Sequence, residues 1–271
     1  MKHFKFGFSD NFKFICREDF TKNQILSFYR PNTTISKLFF WTNAYRLFSK
    51  ITLKEKEHYR INNQTLFLLK GNNKNEQKFI TQTELSLNYI EKWAYLENPG
   101  HLKIKKEIKN LKYLKENEQI YIHERFQLPT LISDGINNDK YVFFKTKKLN
   151  FYKDSSHDNL DLEFVRFYFN EFSLKNTFKH GNVYKTLLHG DLTPWNVKVF
   201  DTNYIIIDWE EMKYGDMYCD IIHYQFSYFF FKKRLRKEEC IRKIKSINLF
   251  NNKEYYKSIQ KYISVQNDKH T

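Results

Sequence analysis

From Val197 to Trp209 the chain reads VKVF, DTN, YIIIDW. Two short runs of β-branched and aromatic residues flank three residues of turn chemistry, which is the pattern of a β-hairpin. Consecutive isoleucines need burial, so this hairpin has to sit in a core rather than on a surface. Its open end is polar: His189, Gly190, Asp191 and Asn196 precede it, and Asp208 and Glu210 close it. A turn centred on Thr202 sets Asn196 opposite Asp208, a carboxamide oxygen beside a carboxylate, with Asp191 on the loop leading in. Oxygen ligands converging beside a further carboxylate suit a hard cation such as Mg2+. That ion usually takes one or two protein carboxylates and fills its shell with water and phosphate oxygens.

The rest of the chain must build the scaffold for this hairpin. Its 271 residues are enough for one large domain or two lobes. Strand-like runs occupy 64–71, 78–85 and 88–96, with Lys92 central in the last of them. Asn98-Pro99-Gly100 marks a turn. Residues 101–117 carry Leu102, Ile104, Ile108, Leu111 and Leu114 along one side of a helix, and 139–149 reads as a further strand beyond QLPTLISDG. The order β-β-β-α-β-β predicts a small antiparallel sheet with one helix. Residues 17–60 look largely helical, most clearly the apolar stripe of 35–51, and 157–178 turns helical again. The expected fold is therefore α+β with two lobes. Residues 1–148 form an N-terminal lobe with a helical extension over about 1–60, and 149–271 form a mainly helical lobe carrying the hairpin.

Composition narrows the partners only loosely. A formal charge of +15 points to an anionic partner such as nucleotide phosphates, a charged glycan, nucleic acid or an acidic membrane face. The coding bias of an AT-rich genome would produce the same lysines and asparagines. Cys16, Cys219 and Cys240 are odd in number and far apart, with no CxxC, so neither a disulfide framework nor a zinc site is suggested. The N-terminus alternates charge with aromatics and lacks the apolar core of a signal peptide. No run approaches a membrane span. A cytoplasmic protein is expected.

HGDLTPWN (189–196) followed by IDWE (207–210) resembles the catalytic segment of aminoglycoside phosphotransferase and choline kinase-like proteins, a branch of the protein-kinase-like fold. The protein-kinase loop is H-R-D-L-x-x-x-N followed by D-F-G. Here His189, Asp191, Leu192 and Asn196 keep their places, Gly190 stands for the arginine, and Asp208-Trp209-Glu210 replaces the second triplet. The resemblance implies that Asp191 orients an acceptor hydroxyl and takes its proton. It also implies that Asn196 and Asp208 ligate Mg2+ on the nucleotide phosphates, and that His189 braces the loop. YGDMYCDIIHYQF (214–226) resembles the family's next segment, where Asp220 would act as helix cap or loop brace.

The same resemblance asks the first lobe for a lysine on the phosphates and a helix glutamate that pairs with it. Lys92 and Glu107 fit best, ahead of Lys78 or Lys70. The phosphate-covering loop KGNNKNEQ (70–77) has one glycine, with Asn72 and Asn73 able to supply left-handed backbone. The strand at 139–149 would be the hinge, with its backbone near Phe144 to Thr146 facing the adenine.

These readings converge on an ATP- (or GTP-) and Mg2+-dependent phosphotransferase acting on a hydroxyl, with a sugar or glycan of cell-surface polysaccharide as the favoured acceptor. The basic stretch 229–245 offers Phe230 and Phe231 beside Lys232, Lys233, Arg234 and Arg236, which would suit the inner face of an acidic membrane. A cationic aminoglycoside fits less well, because it needs an acidic pocket. Two other readings compete: a kinase fold that binds nucleotide or a partner without transfer, and a basic nucleic-acid binder. No nucleic-acid module is recognisable.

Overall fold

The computed structural model describes residues 3–6, 14–18, 53–62, 64–71, 75–83, 89–118, 125–148, 153–155, 159–180, 183–247, 249–250 and 252–268. The chain divides into two compact units. One comprises Met1–Lys105 with Thr130–Lys148, the other Lys106–Pro129 with Leu149–Thr271. Residues 106–129, expected in the first lobe, thus cluster with the second. The α+β class holds: an antiparallel sheet occupies the first unit, and most of the helices among the described residues fall in the C-terminal half.

The first unit is built on one sheet. Its strands are β1 (His3–Phe6), β2 (Phe14–Arg17), β3 (Thr65–Lys70), β4 (Phe79–Thr83), β5 (Tyr89–Tyr95), β7 (Leu131–Asn137) and β8 (Tyr141–Lys147), in the order β1-β2-β3-β4-β5-β8-β7. The expected strands at 64–71, 78–85, 88–96 and 139–149 are all present among the described residues. The helical extension over about 1–60 is corrected at its start, where β1 and β2 pair with each other and β2 lies on β3. The reason is legible in HFKF and FKFICR, whose alternating aromatics and lysines have the period of a strand. All four residues of β2 are buried, as an interior strand requires. Leu53–His58 is helical (α1), while the stripe at 35–51 lies outside the described residues, as do Asn72 and Asn73.

Ile15, Tyr59, Ile61, Leu68, Phe79 and Trp93 form this unit's core. The Arg60 guanidinium lies 4.6 Å from the Trp93 ring and 3.6 Å from that of Tyr141, and it donates to Glu91 at 2.9 Å. A charged group is thereby held beside aromatic surface without losing its partner. Helix α2 (Gly100–Glu116) starts where Asn98 Oδ1 accepts from both Gly100 N and Gln77 N, at 2.8 and 2.9 Å. A Cβ on Gly100 would stand 2.3 Å from the Gln77 carbonyl oxygen, so only glycine permits this approach. Leu102 is 60% exposed, because it lies two residues, about 200° of helix, from the buried Ile104.

The second unit holds two small sheets. Strands β10 (Phe178–His180), β11 (Val183–Leu188) and β14 (Lys213–Asp216) form one. Strands β6 (Phe126–Gln127), β13 (Asn203–Ile206), β12 (Val197–Phe200) and β9 (Lys153–Asp154) form the other. Helices α3 (Leu162–Tyr168), α4 (Cys219–Ser227), α5 (Lys237–Ile247) and α6 (Lys253–Asp268) complete it. The helix expected over 157–178 begins only at Leu162, since Asp161 caps it by accepting from Phe164 N at 2.8 Å. It continues in wide π turns over Phe169–Leu174, and Phe178 already belongs to β10. Phe126, Phe164, Tyr168, Phe172, Trp209 and Tyr224 are buried at the centre of this unit, where aromatic rings meet in tilted and stacked pairs. Among the described residues no helix is long and apolar enough to cross a membrane.

Candidate active site

The hairpin exists, but its register differs from the expected one. Phe200 pairs with Asn203 and Val197 with Ile206, so the turn consists of Asp201 and Thr202 alone. Asp201 takes a positive φ of 50°, as such tight turns demand. The Asn196 carbonyl accepts from Ile207 N at 2.9 Å, which puts Ile207, not Asp208, opposite Asn196. Asp208 is one residue farther on. It leaves the strand in a left-handed conformation, φ 70° and ψ 54°, that re-aims its side chain. Reading Asn203 as a turn residue, when it is the first residue of β13, displaced the expected pairing by one.

The loop entering the hairpin is tied from three sides. Asp220, in the first turn of α4, accepts from His189 N at 2.7 Å, from Gly190 N at 3.1 Å and from Tyr168 OH at 2.6 Å. It is therefore a loop brace and not a helix cap. The Tyr168 hydroxyl is pushed well above its usual pKa, first by burial and then by the charge of Asp220. His189 is fully buried. Its Nδ1 accepts from Asp191 N at 3.3 Å, and its Nε2 lies 2.9 Å from the Ile207 carbonyl, so the ring carries its proton at Nε2. It rests edge-on to Trp209, 4.7 Å between centroids. Gly190 has φ +88°, and a Cβ there would stand 2.1 Å from the Glu211 carbonyl oxygen. Both facts demand glycine where a protein kinase carries arginine.

Asp191 and Asn196 come together as expected. Asn196 Nδ2 donates to Asp191 O at 3.0 Å and to Asp191 Oδ2 at 3.3 Å. Because both partners are acceptors, the amide orientation is decided, and Oδ1 points away from them. Among the described residues nothing donates to that oxygen. The Asp191 side chain remains 44% exposed, and its Oδ1 meets His223 Nε2 at 3.1 Å. His223 Nδ1 in turn lies 2.6 Å from Tyr262 OH. No sequence motif marks His223 or Tyr262. The signal the sequence carries is that His223 stands one helical turn after Asp220.

Asp208 belongs to a carboxylate group. Ligand oxygens of Glu107, Asp208 and Glu210 lie within 4.8 Å of one another, with Glu107 and Glu210 buried. Asn110 of α2 donates to the Trp209 carbonyl at 2.7 Å and so holds the chain just beyond Asp208. Glu107 therefore lies in the unit that carries the loop. Lys92 lies in the sheet of the other unit, opposite Ile80 and Phe144, with Nζ 5.8 Å from the Phe144 ring. Phe144 and Thr146 are buried in β8, which is paired on both edges, with β5 and with β7. Their backbone groups face the ladder on both edges.

On the surface, the loop places Trp195, 41% exposed, edge-on to Phe231, 59% exposed, with 5.5 Å between centroids. Lys232, Lys233, Arg234 and Arg236 come next along the chain and are exposed.

The family model described as phosphotransferase enzyme family matches residues 151–240, the stretch that holds this loop, the hairpin and the bracing helix. That stretch is similar to the phosphotransferase enzyme family over about a third of the chain. The match contains the HGDLTPWN and IDWE segments on which the resemblance rests. No curated protein matches the chain in sequence. Among solved structures, the amicoumacin kinase hAmiN in complex with AMP-PNP, Ca2+ and Ami is 11% identical, with TM-score 0.46 over 72% of this chain and 71% of that one. A thermostable mutant of aminoglycoside phosphotransferase APH(4)-Ia in apo form is 10% identical, with TM-score 0.45 over 67% of this chain and 78% of that one. Monomeric WbdD is 16% identical, with TM-score 0.36 over 58% of this chain and 36% of that one.

Proposed function

We propose that this chain is a phosphotransferase that uses Mg2+ and ATP (or GTP) to phosphorylate a hydroxyl of a sugar or glycan, in the building of cell-surface polysaccharide. The observation that carries the chemistry is the Asp191 carboxylate, partly exposed yet fixed through Asn196 on a loop anchored by Asp220. An acceptor hydroxyl bonded to Asp191 gives up its proton to that carboxylate. Its oxygen forms the new bond to the terminal phosphorus as the bond to the bridging oxygen breaks and the nucleoside diphosphate leaves. Little covalent work falls to the protein, and positioning with charge neutralisation supplies the rate.

The donor set suits a hard cation: an amide oxygen whose orientation is decided at Asn196, and a carboxylate at Asp208 with two more beside it. Asn196 and Asp208 would hold Mg2+, which when bound supplies charge neutralisation at the phosphates. Lys92 is the candidate phosphate contact, and Glu107 adds its carboxylate to the group at Asp208.

The acceptor reading rests on the exposed Trp195 and Phe231, four residues from Asp191 at the nearer ring. Aromatic faces of this kind stack on sugar rings, and the neighbouring cations favour an anionic glycan over a cationic antibiotic. The same residues support peripheral contact with an acidic membrane and a place at the inner membrane face. Transfer of labelled terminal phosphate from ATP is the test, with neutral glycans, acidic glycans and aminoglycosides offered in parallel. Labelling of the acidic glycans is expected. Labelling of aminoglycosides alone would overturn the acceptor class, and nucleotide binding without transfer to any hydroxyl would make the chain a binding protein.

A further inference from the structure

We propose that His223 and Tyr262 are positioning residues for Asp191, a donor chain that sets which way the catalytic carboxylate faces. This rests on the reading of Asp191 as the group that takes the acceptor proton. A carboxylate only accepts, so at 3.1 Å His223 Nε2 must be the donor to Asp191 Oδ1. In the neutral ring the other nitrogen is then an acceptor, and the Tyr262 hydroxyl donates to it at 2.6 Å. Without that hydroxyl the ring is free to carry its proton on Nδ1 and turn a lone pair toward the carboxylate. Tyr262 thus selects the tautomer that Asp191 needs.

The chain is built into the helices. Asp220 on α4 fixes the backbone of His189 and Gly190, and one turn later His223 fixes the side chain of Asp191. Tyr262 is carried by α6. That helix is docked through the buried Tyr255, whose hydroxyl accepts from Gln225 Nε2 at 3.1 Å, and through Ser258, which donates to Asp216 Oδ2 at 2.8 Å. Residues 255, 258 and 262 share one helix face, so the docking that buries Tyr255 also delivers Tyr262. With Asn196 on Oδ2 and His223 on Oδ1, the carboxylate is held from both sides, and each oxygen keeps a lone pair for the acceptor hydroxyl.

The test compares His223→Leu, His223→Gln, Tyr262→Phe and Asp191→Asn by steady-state turnover of Mg-ATP, with water as acceptor if no glycan is in hand. Leucine is expected to lower kcat about 10- to 100-fold, the loss typical of a misplaced reacting group, with KM for nucleotide unchanged within about twofold. Glutamine keeps an N–H near the position of Nε2 and is expected to restore most of kcat. Phenylalanine at 262 should give a smaller loss, and adding it to His223→Leu should cost nothing more, since both act through one contact. Equal kcat in wild type and His223→Leu, or a glutamine variant as slow as leucine at the same thermal midpoint, would overturn the proposal. So would additive losses in the double variant of Asp191→Asn and His223→Leu. Full turnover in Asp191→Asn would instead remove the reading of Asp191, and the positioning role with it.

Discussion

Replacing Asp220 by asparagine tests how the loop is held, and its cost can be worked from three hydrogen bonds. The carboxylate accepts from His189 N, Gly190 N and Tyr168 OH at 2.7, 3.1 and 2.6 Å, two of these on Oδ2 and one on Oδ1. Asparagine does best with its oxygen in the Oδ2 place, which keeps the first and third. Its amide nitrogen then faces Gly190 N–H, and two donors meet with nothing to accept them. Leaving a buried donor unsatisfied costs about 1–3 kcal/mol, and the two surviving bonds drop from charge-assisted to neutral, about 1 kcal/mol each. A neutral amide is cheaper to bury than a carboxylate, which offsets part of the loss. The net is about 2–4 kcal/mol, or about 30- to 900-fold in the opening equilibrium at 1.36 kcal/mol per decade. Hydrogen exchange read by mass spectrometry on a peptide spanning 187–192 measures this directly. Exchange there should accelerate by that factor, while peptides of the first unit's sheet should not change. Tyr168 should also ionise at lower pH than in the wild type, because burial remains but the neighbouring charge is gone. Unchanged exchange at 187–192 would refute the bracing role.

Three further outcomes can be checked quickly. Gly190→Ala should destabilise the protein and abolish turnover, since φ +88° alone costs about 1–2 kcal/mol for an L-residue and the Cβ, 2.1 Å from the Glu211 carbonyl oxygen, forces the loop to move; thermal unfolding and kcat together read both effects. Asp201→Val should lower stability by about 1–2 kcal/mol through its positive φ, whereas Asp201→Asn should be neutral in the same denaturation assay. Burial, aided by Asp216 and Asp220, pushes the Cys219 thiol up to about 11. Its thiolate fraction at pH 8 is then at least about a hundredfold below that of an ordinary cysteine, so iodoacetamide labelling of the folded protein should be correspondingly slow and should quicken as pH approaches 11.

How much of the molecule the sequence reveals depends on how local each determinant is. His189, Asp191 and Asn196 fall within eight positions of one loop, and the family pattern names them together. The hairpin is legible from β-branched runs, but its register hinges on whether Asn203 joins the turn, a choice that propensity leaves open and the positive φ of Asp201 decides. Phe178–His180 reads as the tail of the preceding helix although Gly181-Asn182, a turn signal, separates it from the run VYKTLL. The alternation in HFKF is a strand signal of the same kind, masked by the helical periodicity of residues 35–51. His223 and Tyr262 are 32 and 71 residues from Asp191, and no motif links them. Only the packing of α4 and α6 brings them to it. Glu107, expected as a partner for lysine, lies beside Asp208 and Glu210, a grouping that no spacing rule suggests.

The proposed chemistry needs a nucleotide site that depends on Mg2+ held by Asp208 and Asn196. Isothermal titration of AMP-PNP into the wild type, Asp208→Ala and Asp191→Asn, each with and without MgCl2, measures this dependence. Binding to the wild type should require Mg2+, weaken by at least about tenfold in Asp208→Ala, and persist in Asp191→Asn. Binding of equal strength with and without Mg2+, or undiminished in Asp208→Ala, would show that Asp208 and Asn196 do not hold the ion.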